Sequence, residues 1–501
     1  MLYNSTRDNS HSVTAAQAIA QGISEEGGLF VPQTLPLYDE SVFNNLISLD
    51  YNGRAKKILS DFLTDFTQQE IDECVDKAYT SLKFDGSNIT PIVSTKLDDK
   101  EMNIMELWHG PTSAFKDMAL QILPHLLTKS LKKKYDGKEA VILVATSGDT
   151  GKAALEGFKD VDNTNIIVFY PVDGVSAMQK HQMNTQEGNN VTVCAIEGNF
   201  DDAQTGVKNT FTTTEILEKL RDSNKIFSSA NSINWGRLLP QIVYYISGYC
   251  DLVNNGKIKF GDKINIVVPT GNFGNILAAY YAFCMGLPVN KFICASNQNN
   301  VLTDFLNTGI YNKNRSFYTT TSPSMDILVS SNLERLIYRF SNNDDKYTAD
   351  VMNKLKTDGK YEITADMKDK FDKLFFGGCC DDEQTKQTIN SLYNQSNYLC
   401  DTHTAVAVKV YCDYVDRTGD NTPCLIASTA SPYKFSKAVL EAIKPNSHLP
   451  NDDFAMVDEL NSITGVAVPA PLATIKDKQV RFNNVTCVSD MPKFVLKVLE
   501  L

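Results

Sequence analysis

Long apolar runs are missing from this sequence of 501 residues. None reaches the roughly 20 residues that a membrane-crossing helix needs, so no membrane partner is expected. An N-terminal basic segment followed by an apolar one is also lacking, and a cytoplasmic location is expected. Cationic excess is absent: 48 Lys and Arg stand against 60 Asp and Glu, a formal charge of −12. That balance argues against a nucleic-acid partner. The eleven cysteines include no Cys-x-x-Cys pair and read as reduced, mostly buried thiols. The six histidines form no metal-spaced cluster, and no metal is expected. Neither Gly-x-Gly-x-x-Gly nor a triphosphate loop ending in Gly-Lys-Ser/Thr occurs, which leaves dinucleotide and ATP binding without support. Internal repeats, low-complexity tracts and heptads are absent as well.

What the chain does have is a lysine in a distinctive frame, His109-Gly110-Pro111-Thr112-Ser113-Ala114-Phe115-Lys116-Asp117. Gly110 to Thr112 reads as a turn and residues 114–127 as one apolar helix, with Lys116 on its first turn. Desolvation there lowers the amine's proton affinity, so that it can condense with an aldehyde and later carry protons. His109 is the only histidine within this frame, and it either lines the cleft or packs behind it.

Two glycine turns supply what such a lysine needs. Pro269-Thr270-Gly271-Asn272-Phe273-Gly274-Asn275 joins the strand-like run 264–268 to the helix-like run 276–285. Inward-pointing N–H groups at a helix start make a phosphate cup of this turn. Ala145-Thr146-Ser147-Gly148-Asp149-Thr150-Gly151 joins the run 140–144 to the run 152–158. Its hydroxyls and N–H groups suit the carboxylate of an amino acid. A phosphate cup, a carboxylate cup and an activated lysine together describe a pyridoxal phosphate site.

The three segments, in this order, resemble the fold type II pyridoxal phosphate enzymes, and within them the threonine synthase family. The resemblance rests further on Tyr3-Asn4-Ser5-Thr6-Arg7, Gly27 to Pro32, Asn231-Ser232-Ile233-Asn234-Trp235-Gly236-Arg237, Ser322-Pro323-Ser324-Met325-Asp326-Ile327, and Ser428-Thr429-Ala430-Ser431-Pro432-Tyr433-Lys434-Phe435. It spans residues 3–435.

The resemblance implies roles. Lys116, flanked by Phe115, would hold the cofactor pyridoxal 5'-phosphate and shuttle protons. Gly271, Asn272, Phe273, Gly274 and Asn275 would bind its phosphate, and the Thr429 hydroxyl its ring nitrogen. Thr146, Ser147, Asp149 and Thr150 would surround the substrate carboxylate and the cofactor's 3-hydroxyl. A carboxylate at Asp149 repels a substrate carboxylate unless it is hydrogen-bonded or protonated. Asn231, Ser232 and Arg237, the last ahead of a helix over 238–253, would hold the substrate's own phosphate. The implied reaction converts O-phospho-L-homoserine and water to L-threonine and phosphate. A same-fold dehydratase, a phosphohomoserine lyase and a non-catalytic cofactor-binding paralogue are the alternatives. Ser431 stands where many family members have His, so any role of that imidazole is lost or supplied elsewhere.

The fold class is α/β: two α/β domains with mostly parallel sheets flank a cofactor cleft, beside an N-terminal domain. Runs 140–144, 166–170 and 191–196 make a βαβαβ unit, and runs 264–268, 292–295 and 424–427 a second sheet. The expected domains are 1–95, 96–230 with the lysine and carboxylate loop, and 231–501 with the phosphate cup. Residues 342–395, rich in Asp, Lys and Asn, read as a solvated insertion. Monomer and homo-oligomer both stay open.

Overall fold

Two sheets dominate the structure, and each grows from the apolar runs named above. The computed structural model describes residues 1–501 apart from Ser87, Ser147 and Gly174, and Asp201 through its backbone alone. The smaller sheet runs in the order Asn484–Cys487, Val191–Glu197, Thr164–Pro171, Glu139–Ala145, Lys225–Ser228 and is parallel throughout. Helices Asp149–Phe158 and Ala177–Asn184 connect its three inner strands, which completes the expected βαβαβ unit.

The larger sheet runs Phe375–Cys379, Val289–Ser296, Ile264–Pro269, Cys424–Ser428, Lys100–Glu106, Ile92–Leu97. Its first five strands are parallel and the last is antiparallel. Ile264–Pro269 and Cys424–Ser428 are buried along their whole length. Parallel strands covered on both faces must be apolar on both, which is why they stand out as unbroken runs.

The sheets do not follow the expected limits at 95 and 230. Lys100–Glu106 pairs with Cys424–Ser428 in the larger sheet, and Asn484–Cys487 returns to complete the smaller one. Apolar periodicity marks a strand but not its neighbour. Residues 342–395 also depart from a solvated insertion. Phe375–Cys379 is an edge strand of the larger sheet, and Phe371, Phe375, Ile389 and Leu392 are core residues. Charged residues on the outer faces of helices Asp345–Thr357, Ala365–Leu374 and Asp382–Ser396 dilute this apolar stripe in the sequence.

The helix expected over 114–127 is split in two. Asp117–Leu120 is a single turn, and Leu123–Lys134 starts anew with Pro124 in its first turn. A proline lacks the N–H that a helix interior needs but is tolerated at a helix start.

The N-terminal region carries a three-stranded sheet and helices Glu40–Ser48, Tyr51–Phe62 and Gln68–Ala78. Ion pairs fasten it to the body. Arg7 grips Glu334 through Nε and Nη2 at 2.8 and 2.7 Å, and buried Arg54 reaches Ser247 and Asp251 at 2.7 and 2.6 Å. The Arg7–Glu334 pair is the bidentate fork to which arginine is suited, while Arg54 makes both of these contacts through Nη1. Among the described residues no helix is long and apolar enough to cross a membrane.

Candidate active site

Three consecutive strands of the larger sheet deliver the site. The loop after Lys100–Glu106 carries Lys116, Cys424–Ser428 runs into Thr429, and Ile264–Pro269 runs into the glycine turn. Backbone bonds stitch the first two together: Leu107 donates to the Ser428 carbonyl at 3.0 Å and Phe115 to the Thr429 carbonyl at 2.8 Å. All three segments therefore open at the carboxyl ends of parallel strands, where α/β sheets bind ligands. Glu139–Ala145 brings Thr146, Asp149 and Thr150 to the same place from the smaller sheet. The cavity between them measures about 1570 Å³ and is lined by Lys116, Asp149, Arg237, Gly271 to Asn275, Ser324 and Thr429, among others.

Burial pushes the Lys116 amine down to about 8; Asp149 opposes that shift, and Arg237 and Lys434 add to it. Its Nζ donates to Ser324 Oγ at 3.4 Å. Behind it the buried Asp117 carboxylate accepts Thr112 N–H at 2.8 Å and Thr112 Oγ1–H at 2.7 Å. That locks the turn from which the lysine projects.

Asp149 is ionised and paired. Its Oδ1 meets Lys434 Nζ at 2.7 Å, with both side chains buried, and accepts Gln179 Nε2–H at 2.8 Å. Burial alone would raise this carboxyl; the Lys434 and Lys116 charges, with hydrogen bonds from Lys434 and Gln179, outweigh it and hold the group well below the ordinary range. Lys434 also donates to the Thr112 carbonyl at 2.9 Å. The charge that would have repelled a substrate carboxylate is cancelled on the spot.

Thr146 corrects one expectation. It borders the cavity, but its hydroxyl accepts Gly148 N–H at 3.0 Å and Gly151 N–H at 2.9 Å, and donates to the Gly148 carbonyl at 3.2 Å. A hydroxyl has one proton and two lone pairs, so none is left for a ligand. Its work is to hold the turn. Gly148, at φ 143°, is required there, since a Cβ would stand 2.5 Å from the Gln179 side chain. Ser147 lies outside the described residues, and Thr150 borders the cavity at the helix start.

The residues around Gly271 to Asn275 fit a phosphate. Phe273 sits in the left-handed region at φ 65° and caps helix Gly274–Cys284, while its ring is buried near Phe375. Only its backbone faces the turn. A Cβ on Gly271 would lie 2.9 Å from the Ser324 carbonyl oxygen, so the approach needs glycine. Asn275 Oδ1 accepts the hydroxyls of Tyr244, at 2.6 Å, and Tyr245, which points its amide; buried Nδ2 has no protein partner. An orphaned donor beside a helix N-terminus is what an anion would satisfy.

Asn231, Ser232 and Arg237 enter the cavity from a turn held by Asn234, whose Nδ2 donates to the Ile19 and Ser229 carbonyls and whose Oδ1 caps helix Trp235–Asn254. Arg237 lies in that helix's first turn, 6% exposed. Its Nη1 donates to the Ala230 carbonyl at 2.8 Å, and no ion pair to a carboxylate involves it among the described residues. Desolvation lowers it to about 10. A cation that is buried and unpaired is costly unless an anion joins it.

His109 is not in the cavity wall. It pairs with Glu106 at 2.7 Å and stacks on Trp108. Ser431 is spent on its own turn, accepting Tyr433 N–H. Lys434 lies inside the segment Ser428 to Phe435 but has no local signature of its role, and Gln179 and His403, which also line the cavity, carry none either.

Comparison with known proteins fits this geometry. Residues 2–79 match the threonine synthase N-terminus, 86–363 the pyridoxal-phosphate-dependent enzymes and 404–493 the threonine synthase C-terminal region. The chain belongs to the threonine synthase family. Threonine synthase of Saccharomyces cerevisiae is 34% identical over 488 residues, covering 92% of this chain and 93% of that one. Threonine synthase-like 1 of Homo sapiens is 40% identical over 440 residues, 86% of this chain, which spans 58% of that relative's length. The crystal structure of pyridoxal phosphate-bound threonine synthase from Brucella melitensis superposes with a TM-score of 0.87 at 33% identity, covering 99% of each chain. Pyridoxal 5'-phosphate is the family's cofactor, and the residues around Lys116, Gly271 to Asn275 and Thr429 are of the kind that would hold it.

Proposed function

We propose that this chain is a threonine synthase, converting O-phospho-L-homoserine and water to L-threonine and phosphate. The observation that carries the proposal is Arg237. Its buried, unpaired guanidinium opens onto the same cavity as Lys116 but lies on a different element from the turn at Gly271. A dehydratase acting on an unphosphorylated amino acid has no use for a second cationic anion site. A substrate carrying its own phosphate does.

Bound pyridoxal phosphate supplies an electron sink for negative charge on the substrate carbons. The protein's part follows from its own groups. Lys116, with an amine lowered to about 8, is neutral in a useful fraction of molecules near neutral pH and can take protons from the α and β carbons and return them. Asp149, neutralised by Lys434, lets a substrate carboxylate approach the start of helix Asp149–Phe158, where Thr150 borders the cavity. Arg237, with Asn231 and Ser232 as neutral donors, binds the γ-phosphate and stabilises the charge that builds as it leaves. Thr429, which lines the cavity, would present a neutral hydroxyl to the cofactor's ring nitrogen, and Lys116 would remain the group that moves protons.

Arg237→Ala tests this reading. It should raise KM for O-phospho-L-homoserine by about tenfold to a hundredfold while cofactor stays bound. Unchanged kinetics would return Arg237 to a structural role.

A further inference from the structure

Ser324 is held at three points, each by a different part of the site. Its hydroxyl receives Lys116 Nζ at 3.4 Å. Its carbonyl oxygen lies against Gly271 of the phosphate turn, so close that a Cβ there would stand 2.9 Å away. Its backbone N–H donates to His403 Nε2 at 3.2 Å. The far side of the same turn is anchored by Asp326, which accepts Thr320 N–H at 3.0 Å, Thr320 Oγ1–H at 2.7 Å, and the amides of Asn297 and Asn299 at 2.7 and 2.9 Å.

His403 is 2% exposed and stands in the first turn of helix Thr402–Thr418, capped by the fully buried Asp401. Asp401 Oδ1 accepts both the His403 backbone N–H at 2.8 Å and Nδ1–H at 2.9 Å. Its Oδ2 accepts the N–H and hydroxyl of Thr404. An ionised carboxylate only accepts, so the imidazole proton belongs on Nδ1 and the Nε2 lone pair is left for Ser324. Phe435 closes the other side, its ring centroid 4.8 Å from the imidazole's.

We propose that His403 is a positioning residue: through Nε2 it fixes Ser324 so that the serine hydroxyl orients the Lys116 amine, and Asp401 fixes the tautomer that allows it. The proposal rests on Lys116 being the reactive lysine, as above. A hydroxyl suits this place because it accepts from an ammonium and donates to a neutral amine, following Lys116 through both states. A carboxylate would instead hold the proton on the amine. The amine hangs on a flexible four-carbon stem, and its rotation is costly to leave unrestrained at a reacting centre.

The test is a double-mutant cycle on the cofactor-loaded enzyme with His403→Asn, Ser324→Ala and the pair. Asn keeps a donor toward Asp401 and loses the acceptor for Ser324. Each single variant should lower kcat roughly tenfold with KM little moved, and the pair should lose no more than Ser324→Ala alone. Losses that multiply would overturn the proposal. His403→Gln, whose amide oxygen replaces the Nε2 acceptor, should recover part of the rate. The same variants, stripped of cofactor and given pyridoxal phosphate, should capture it on Lys116 more slowly with the same non-additive pattern; unaltered capture would overturn the proposal. That readout stands even if O-phospho-L-homoserine is not turned over, which would sink the proposed reaction alone. In the wild-type protein, ¹⁵N resonances must show His403 protonated on Nδ1 and bare on Nε2. A proton on Nε2 would contradict the mechanism without any variant having to fold.

Discussion

Lys434 and Asp149 meet at 2.7 Å inside the cleft, one from the segment after the larger sheet's strand Cys424–Ser428 and the other from the turn that ends the smaller sheet's strand Glu139–Ala145. The pair ties the two layers together at the site itself. It also explains how an acid can stand in the turn proposed to receive the substrate carboxylate.

Lys434→Met should therefore be severe. Leaving Asp149 buried and unpaired costs about 3–5 kcal/mol, whereas the double variant Lys434→Met/Asp149→Asn, which removes both charges, should recover much of that. Chemical denaturation of the three proteins measures it. Equal losses in the single and double variants would contradict the pairing.

The same pair predicts a pH dependence. Asp149 is held below its ordinary value, so its contribution to stability is fully present above the unfolded carboxylate value of about 4 and is lost as pH falls through the lower folded value. The stability gap between wild type and the double variant should narrow on acidification below about pH 4. A gap that widened there would reverse the sign.

The Lys116 amine should titrate near 8. Since only the neutral amine attacks an aldehyde, pyridoxal phosphate capture by cofactor-free protein should rise with pH around that midpoint, not around the ordinary lysine value of about 10.4. Lys116→Ala should abolish both capture and turnover while the fold persists. Stopped-flow absorbance measures capture and circular dichroism the fold.

Asn275→Asp keeps an acceptor for Tyr244 and Tyr245 but replaces the unpartnered Nδ2 donor with an oxygen. Cofactor affinity should fall by about tenfold to a hundredfold with little change in Tm. Undiminished affinity would remove Asn275 from the phosphate site.

Which of these features the sequence reveals depends on the distance over which they are built. Gly148 is legible because its positive φ needs glycine whatever packs around it, and Gly271 because a glycine between an apolar run and a helix-like run marks a tight turn, although the Ser324 carbonyl that demands it lies 53 positions away. Lys116 is legible through its frame of turn and short helix. The Asp149–Lys434 pair is not, because its members are separated by 285 positions in the chain and only the folded cleft brings them together. His403 is hidden for the same reason: its meaning lies in Ser324, on a loop 79 positions away. Strand Phe375–Cys379 escapes because its neighbours turn charged faces to solvent and swamp its short apolar signal. The limits at 95 and 230 fail because distant stretches of chain lend two strands, Ile92–Leu97 and Lys100–Glu106, to the larger sheet and one, Asn484–Cys487, to the smaller.

The reaction itself can be read by incubating purified, pyridoxal phosphate-loaded protein with O-phospho-L-homoserine and quantifying threonine, α-ketobutyrate and phosphate together. A threonine synthase releases threonine and phosphate in equal amounts, and that is the expected result. α-Ketobutyrate with phosphate would mean an elimination without water addition, and no phosphate release would contradict the assignment of Arg237 and its neighbours to a phosphorylated substrate.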